Sequence, residues 1–418
     1  MEEKQNKPEL DSLMLHGAYD PSNFLGSTMP PIFQTSAFAH QTAEELERIF
    51  ANKAGGFAYS RIGNPTVNNF ENRMIKAEHG MFATACSSGS AAIAMTLLTL
   101  LKSGDEIIAS TGLYGGTIDL FRDLEAFGIR TVYTSDFSRA AMEQLVSDST
   151  KAVLVETIGN PKLNIIDIRG LADTVHAFGI PLIVDNTVAT PALVRPLELG
   201  ADIVVHSSSK YINGNGSAIS GVIVDGASFD FRSEKFRVLG DYQKYGKGAF
   251  TARLRNVIWR DIGACLSPVT AYANIAGLET LSLRMKRICE NAEQLAVYLD
   301  ACAHVSAVVY PGLRSHPDYK LVRKQFAEGM AGGILTIRVG SKKKAFSVIN
   351  HLNYAWNVSN IGDTKTLVVH PSSTIFAHSS EEEKQAAGVY DDQIRISVGI
   401  EDIRDLIADF DQALSAEE

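Results

Sequence analysis

The stretch "IPLIVDNTVATPALVRPLELGADIVVHSSSK", residues 180–210, contains two short apolar runs, each ending on polar side chains. The first, "IPLIVDN", does not alternate polar with apolar, as expected of a strand covered by helices on both faces. It stops at Asp185. The second, "ADIVVHS", is rich in β-branched residues and closes with His206, three serines and Lys210, before the glycine-rich turn "INGNGS". The same rhythm recurs upstream in "MFATAC", "EIIAS", "RTVYTS" and "KAVLVET", and downstream in "AISGVIVDG". Between the runs lie amphipathic segments such as "AAMEQLVSDS" and "RGLADTVHAFG", the latter closed by Gly179 ahead of Pro181. Seven strands alternating with helices predict an α/β fold built on a mainly parallel sheet.

A chain of 418 residues is too long for one ordinary core and predicts further organisation. Residues 1–63 hold little periodic structure and read as an arm. The sheet domain is expected over residues 64–265 and a smaller α+β domain over residues 266–418. Residues 227–260, dense in charge and aromatics ("FDFRSEKFRVLGDYQKYGKGAF"), read as a long insertion or irregular connection. A helical pattern from Pro268 to Leu299 leads out of the sheet, followed by the strand-like "GGILTIRV" and "IRISVGIED" and the helix "EDIRDLIADFDQAL". The short runs "SEEEK" and "SKKKA" read as solvated helix starts or turns.

A net charge of −9 argues against nucleic acid or an anionic membrane as main partner. The polar start "MEEKQNKPELDS" shows no signal peptide. The longest apolar stretch, residues 91–101, is too short to span a bilayer. Cys86, Cys265, Cys289 and Cys302 are scattered without a CxxC pair, which predicts reduced thiols and a cytoplasmic location.

In open parallel sheets, ligand chemistry collects at the carboxyl ends of the strands. There "SSGSAAIAM" opens an apolar helix with Ser87, Ser88, Gly89 and Ser90, whose free N–H groups suit a phosphate. Taken alone this is an ordinary helix cap. "KAVLVET" ends at Glu156 and precedes a turn holding Asn160. Asp185, directly after an apolar run, needs a positive partner or hydrogen-bond donors. Lys210 at a partly buried strand end becomes a nucleophile towards carbonyls if its pKa falls. A phosphate cradle, a carboxylate for a buried cation and an amine for an aldehyde together describe pyridoxal 5′-phosphate (PLP). Ser207 and Ser209 would straddle Lys210 to bind the phosphate, and Tyr114, in "STGLYGGT", would stack on the ring. Other cofactors fit poorly. "NGNGSAISG" lacks the third glycine of GxGxxG, and GxxxxGK[ST] and HExxH are absent. The ten histidines form no close ligand cluster, so no metal is expected.

The motifs "YSRIGNPT", "LYGGT", "ETIGNPKL", "IVDNTVATP", "ADIVVHSSSKYINGNG", "LSLRMKRICENA" and "IRISVGIED" resemble, in order, those of the Cys/Met-metabolism family of fold-type I PLP enzymes. The resemblance spans nearly the whole chain. It implies an aspartate aminotransferase-like fold with a seven-stranded sheet, and Lys210 as the Schiff-base lysine. Asp185 would face the pyridinium nitrogen, Gly89, Ser90, Ser207 and Ser209 the phosphate, and Asn160 the phenolic oxygen. Arg395, with Asn360, would bind the substrate, its guanidinium fork suiting a planar carboxylate. Tyr59 and Arg61 would reach the phosphate of a neighbouring subunit, implying a dimer and a tetramer of two such dimers. From composition alone those two residues read as a solvated loop.

Within the family, Gly116 stands where methionine γ-lyases carry a cysteine. Residues 227–260 and "NIGDTKTLVVHPSSTIF" are similar to the O-acetylhomoserine sulfhydrylase branch. Two departures are Ser209, where threonine is frequent, and Val188, where an aromatic often sits. The implied activity is replacement of acetate by sulfur to give homocysteine, with Lys210 moving the Cα proton and Tyr114 as a second acid–base group. Sulfide, a small thiol and a protein-borne thiocarboxylate remain open as sulfur donors. Methionine γ-lyase and cystathionine γ-synthase are the alternatives within the family, and a binding protein without catalysis is the alternative outside it.

Overall fold

The computed structural model describes residues 9–416; the first eight residues of the expected arm lie outside them. The seven apolar runs form one sheet: β1 (Phe82–Cys86), β2 (Glu106–Ser110), β3 (Arg130–Thr134), β4 (Thr150–Glu156), β5 (Leu182–Asp185), β6 (Ile203–His206) and β7 (Gly221–Asp225). Their order is β1-β7-β6-β5-β4-β2-β3. From β3 to β6 every neighbouring pair is parallel, while β7 runs antiparallel to both β6 and β1. Both faces are covered, which explains the missing alternation. Ile108, Val153, Val155, Val184 and Val204 join one core, and Ile107, Leu154, Ile183, Ile203 and Val205 join the other. A strand buried on two sides gains apolar burial at every position, so each position selects an apolar residue.

The charged, aromatic stretch after β7 is a packed connection of short turns. A kinked 3₁₀ run, Glu234–Gly248, leads into the helix Ala249–Arg253, a π turn at Leu254–Ile258 and the helix Trp259–Ile262. Its aromatics are the core: Phe229, Phe231, Phe236 and Phe250 pack at centroid separations of 4.9 to 6.3 Å. The Trp259 indole donates to the Ala85 carbonyl at 3.0 Å. Short turns of changing pitch give no periodicity to read. The pattern from Pro268 onward forms two helices, Pro268–Leu278 and Leu281–Asp300, interrupted at Glu279 and Thr280.

A second sheet contains β8 (Ala307–Val309), β9 (Ile334–Arg338), β10 (Trp356–Asn357), β11 (Leu367–Val369) and β12 (Gln393–Ser397), ordered β10-β11-β12-β9-β8. The helices Lys342–His351 and Ile403–Ser415 accompany it. β12 is central and fully buried, which fixes Arg395 opposite Thr336 and Val369. "SKKKA" and "SEEEK" are indeed helix starts, capped by Ser341 and Ser380. Before residue 64 the described residues make two short α-helices. Leu10–His16 buries Leu10 and Met14, whereas Ala43–Phe50 buries nothing.

Candidate functional site

The carboxyl ends of β4, β5 and β6 open into a cavity of about 210 Å³, bounded on the far side by Asn360, Ile361, Ile375 and Arg395. Residues far apart in sequence converge there, carried among others by a helix start, a turn after β6 and the central strand of the second sheet.

The helix Gly89–Leu100 begins at the cavity, capped by Ser88, whose hydroxyl accepts from the Ala91 N–H at 3.0 Å. The N–H groups of Gly89 and Ser90, in the first turn, lack helical partners and suit an anion. Gly89 is required for the packing: a Cβ there would lie 2.6 Å from the Ser207 Cβ. The turn after β6 is tied on both sides. The Ser207 N–H donates to the Thr187 hydroxyl at 2.8 Å and the Lys210 N–H to the Ser207 carbonyl at 3.1 Å. Ser209 lines the cavity but donates its hydroxyl to the Ser220 carbonyl at 3.0 Å and accepts from the Ser220 N–H at 2.8 Å. It addresses an anion only by giving up that donated bond.

Lys210 extends to the Asn360 Oδ1, 2.5 Å from its Nζ. Burial disfavours its ammonium, and the Arg395 guanidinium repels it, so its pKa falls to about 8. Asp185 accepts from the Thr187 N–H at 2.9 Å. Burial raises its pKa against the pull of the Thr187 hydrogen bonds and the nearby His206. It is a carboxylate short of a cation. Behind it, fully buried His206 meets Glu78 at 2.7 Å, and the Asn186 amide donates to the same carboxyl at 2.8 Å. This ties the ends of β5 and β6 to the helix Pro65–Glu78.

Arg395 is buried, with its pKa lowered to about 10 by desolvation. Its Nη1 donates to the Asn160 Oδ1 at 3.3 Å and its Nη2 to the Asn360 carbonyl at 2.9 Å, while Nε has no partner among the described residues. A guanidinium held only by neutral oxygens is poised for an anion. Tyr114 caps the helix Gly115–Glu125 and is 42 % exposed at the cavity, its N–H donating to the Glu156 Oε1 at 2.7 Å. Thus Gly89, Ser90, Tyr114, Asn160, Asp185, Ser207, Ser209, Lys210, Asn360 and Arg395 all line one cavity.

Tyr59 and Arg61 do not. Arg61 lines a separate hollow of about 570 Å³, donates to the Arg260 carbonyl at 2.5 Å and sits 5.5 Å from the Tyr59 ring centre. Sequence reasoning missed Thr187, two residues beyond Asp185, which fixes both the acid and the lysine turn; a hydroxyl at that spacing is a turn signal. It also left Glu156 without a role, although the residue ends a strand as Asp185 does.

These residues fit PLP on their own chemistry: unpaired N–H groups for a phosphate, an amine of lowered pKa for an aldehyde, and a buried acid for a ring cation. Because Lys210 is neutral above about pH 8, roughly a tenth of the molecules offer a free amine at pH 7, against about one in 3,000 for an ordinary lysine. The rate at which cofactor-free protein takes up PLP covalently is therefore expected to rise with pH and level off near 8. A rise continuing to pH 10, followed by visible absorbance in stopped flow, would contradict this environment for Lys210.

Residues 11–415 match the family described as Cys/Met metabolism PLP-dependent enzyme. A sulfhydrylase of Fusarium oxysporum f. sp. lycopersici is 41 % identical, with 96 % of each chain covered. The homocysteine synthase of Schizosaccharomyces pombe is 40 % identical over 97 % of each chain. An O-acetyl-L-homoserine sulfhydrylase of Corynebacterium glutamicum is 40 % identical over 92 % of each. Among solved structures, an O-acetylhomoserine (thiol)-lyase of Campylobacter jejuni, containing a pyridoxyl-lysine monophosphate, superposes with a TM-score of 0.94. It is 32 % identical, covering 98 % of this chain and 100 % of that one.

Proposed function

The chain belongs to the Cys/Met metabolism family of PLP-dependent enzymes, and on that premise we propose that it exchanges the acetate of O-acetylhomoserine for sulfide, giving homocysteine. The observation that carries this reading is the pairing of Arg395 and Lys210 across one cavity. A buried guanidinium without a counter-ion stands beside an amine whose pKa is about 8. An amino acid brings the carboxylate that Arg395 lacks and presents its α-carbon to Lys210. The names of the relatives above support the acyl donor.

PLP, when bound, supplies an electron sink for charge developing at the substrate's α-carbon. The chain does the rest. Asp185 holds the protonated ring nitrogen, and the amides of Gly89 and Ser90 with the Ser207 hydroxyl hold the phosphate. Arg395, steadied by Asn160 and Asn360, fixes the α-carboxylate. Lys210 Nζ takes the Cα proton and returns it at the end of the cycle. The Tyr114 hydroxyl is the second proton carrier. Acetate departs with the electrons of the Cγ–O bond, and a Cγ–S bond replaces it. Apolar Val188, Ile361 and Ile375 limit water in the cavity where sulfide must compete.

Gly116 favours replacement over elimination as the main activity. A Cβ there would lie 2.6 Å from the Tyr114 Cε1, so a side chain at 116 would displace the ring of the second proton carrier. The test is direct: holoenzyme given O-acetylhomoserine and sulfide is expected to yield homocysteine and acetate. Faster release of 2-oxobutanoate and methanethiol from methionine, or faster cystathionine formation with cysteine, would overturn the assignment.

The arm supports a shared site. Between residues 17 and 63 only Pro30 is buried, although Leu25, Ile32, Leu46 and Phe50 lie exposed along it. Such a surface suits a second copy of the chain, where Tyr59 and Arg61 would complete the partner's phosphate site in a dimer, two of which would form a tetramer. Among the described residues no helix is long and apolar enough to cross a membrane.

A further inference from the structure

β4 and β5 run parallel with Glu156 in register with Asp185, so two carboxyl groups stand side by side at the cavity edge. Glu156 is only 7 % exposed. Its Oε1 is committed to the Tyr114 N–H at 2.7 Å, while its Oε2 is buried with no partner among the described residues. If Glu156 were ionised, its charge would stand beside a second acid whose charge the ring nitrogen requires. Only one of two adjacent buried carboxyls readily keeps its charge. If Glu156 carries a proton on Oε2, the described residues offer it no acceptor, and the residue stands in the wall of the cavity.

We propose that Glu156 is a neutral acid in the holoenzyme, anchoring the Tyr114 loop through Oε1 and donating from Oε2 to an anionic ring oxygen of the bound cofactor. The pull on its proton agrees: burial and the Asp185 charge raise its pKa well above the ordinary carboxyl value, against the main-chain N–H groups of Tyr114 and Asn160. Glu156 is a positioning residue for Tyr114, because the bond runs to the main chain of that residue and fixes the start of the helix Gly115–Glu125. It is also a hydrogen-bond donor to the cofactor, a role that a carboxylate cannot fill. The two duties use different oxygens, so one substitution separates charge from donation: glutamine keeps the accepting oxygen, replaces O–H by N–H, and carries no charge.

This inference rests on PLP occupying the cavity, which is checked first by borohydride fixation of the visible chromophore in the wild type. With that established, the pH midpoint of the chromophore and the PLP dissociation constant are measured for wild type, E156Q and E156A. Losing a donor to an anionic oxygen makes the ring system hold its proton more tightly, so the E156A midpoint is expected to rise by about one unit and PLP to bind roughly tenfold more weakly. E156Q is expected to stay close to the wild-type midpoint. An E156Q midpoint displaced as far as that of E156A would mean that the charge is needed, and would overturn the proposal. Should E156A fail to fold, infrared spectra of wild type and E156Q decide. A protonated-carboxyl stretch present at neutral pH and missing in E156Q supports the neutral acid; its absence from the wild type refutes it.

Discussion

Lys210→Ala is expected to leave a protein that binds PLP without fixing it: borohydride reduction should attach no chromophore, and turnover should fall by at least 10²- to 10⁴-fold, roughly the worth of one positioned proton carrier. The loss is severe because, among the described residues, no other amine or imidazole lines the cavity. The nearest cation is Arg395, which stays charged at working pH and is already bonded to Asn160 and Asn360. Folding should not suffer in step. Lys210 sits in surroundings that disfavour its charge, and its one bond, to the Asn360 Oδ1, frees an amide that faces the cavity. Cofactor-free K210A is therefore expected to melt no lower than cofactor-free wild type. A reducible chromophore surviving in K210A would sink the assignment of the tether. A collapse of the melting temperature would instead show that the lost activity reports on stability.

The strands were legible because a sheet covered on both faces writes its position into composition. Every run from "EIIAS" to "AISGVIVDG" is an island of apolar residues between polar breaks, and each became a strand. Asp185 and Lys210 were legible for the reverse reason, since each is a charge where burial is expected. What failed to show depends on relations between segments. The adjacency of Glu156 to Asp185 is a matter of register between β4 and β5, and no single run contains it. The Glu78–His206 pair joins positions 128 residues apart. The connection after β7 hid its aromatic core behind turns of mixed pitch, and the break at Glu279 and Thr280 lies inside an unbroken helical pattern. Ser209 shows a further limit. A hydroxyl next to the lysine suggests an anion ligand, yet its bonds run to the Ser220 main chain.

Asp185→Asn tests the other half of the site while leaving its shape almost unchanged. The amide oxygen can still accept from the Thr187 N–H, now 2.9 Å from Oδ1, so the turn that carries Thr187 and, through it, the Ser207 N–H should persist. What disappears is the negative charge that we propose faces the ring nitrogen, and preorganised charges of that kind are worth about 10²- to 10³-fold in turnover. D185N is expected to bind PLP through Lys210, to remain coloured and reducible, and to lose kcat by that factor. A PLP analogue with a methylated, permanently positive ring nitrogen should restore part of the loss, because it no longer needs an acid to keep its charge. Glu156 should respond as well. Without the neighbouring charge that raises its pKa, it should ionise more readily, and the infrared signature of its proton should weaken towards high pH sooner than in the wild type. Turnover within a fewfold of wild type in D185N would mean that the ring nitrogen draws its proton from elsewhere, and His206, buried against Glu78 beside the same strand end, would become the group to substitute next.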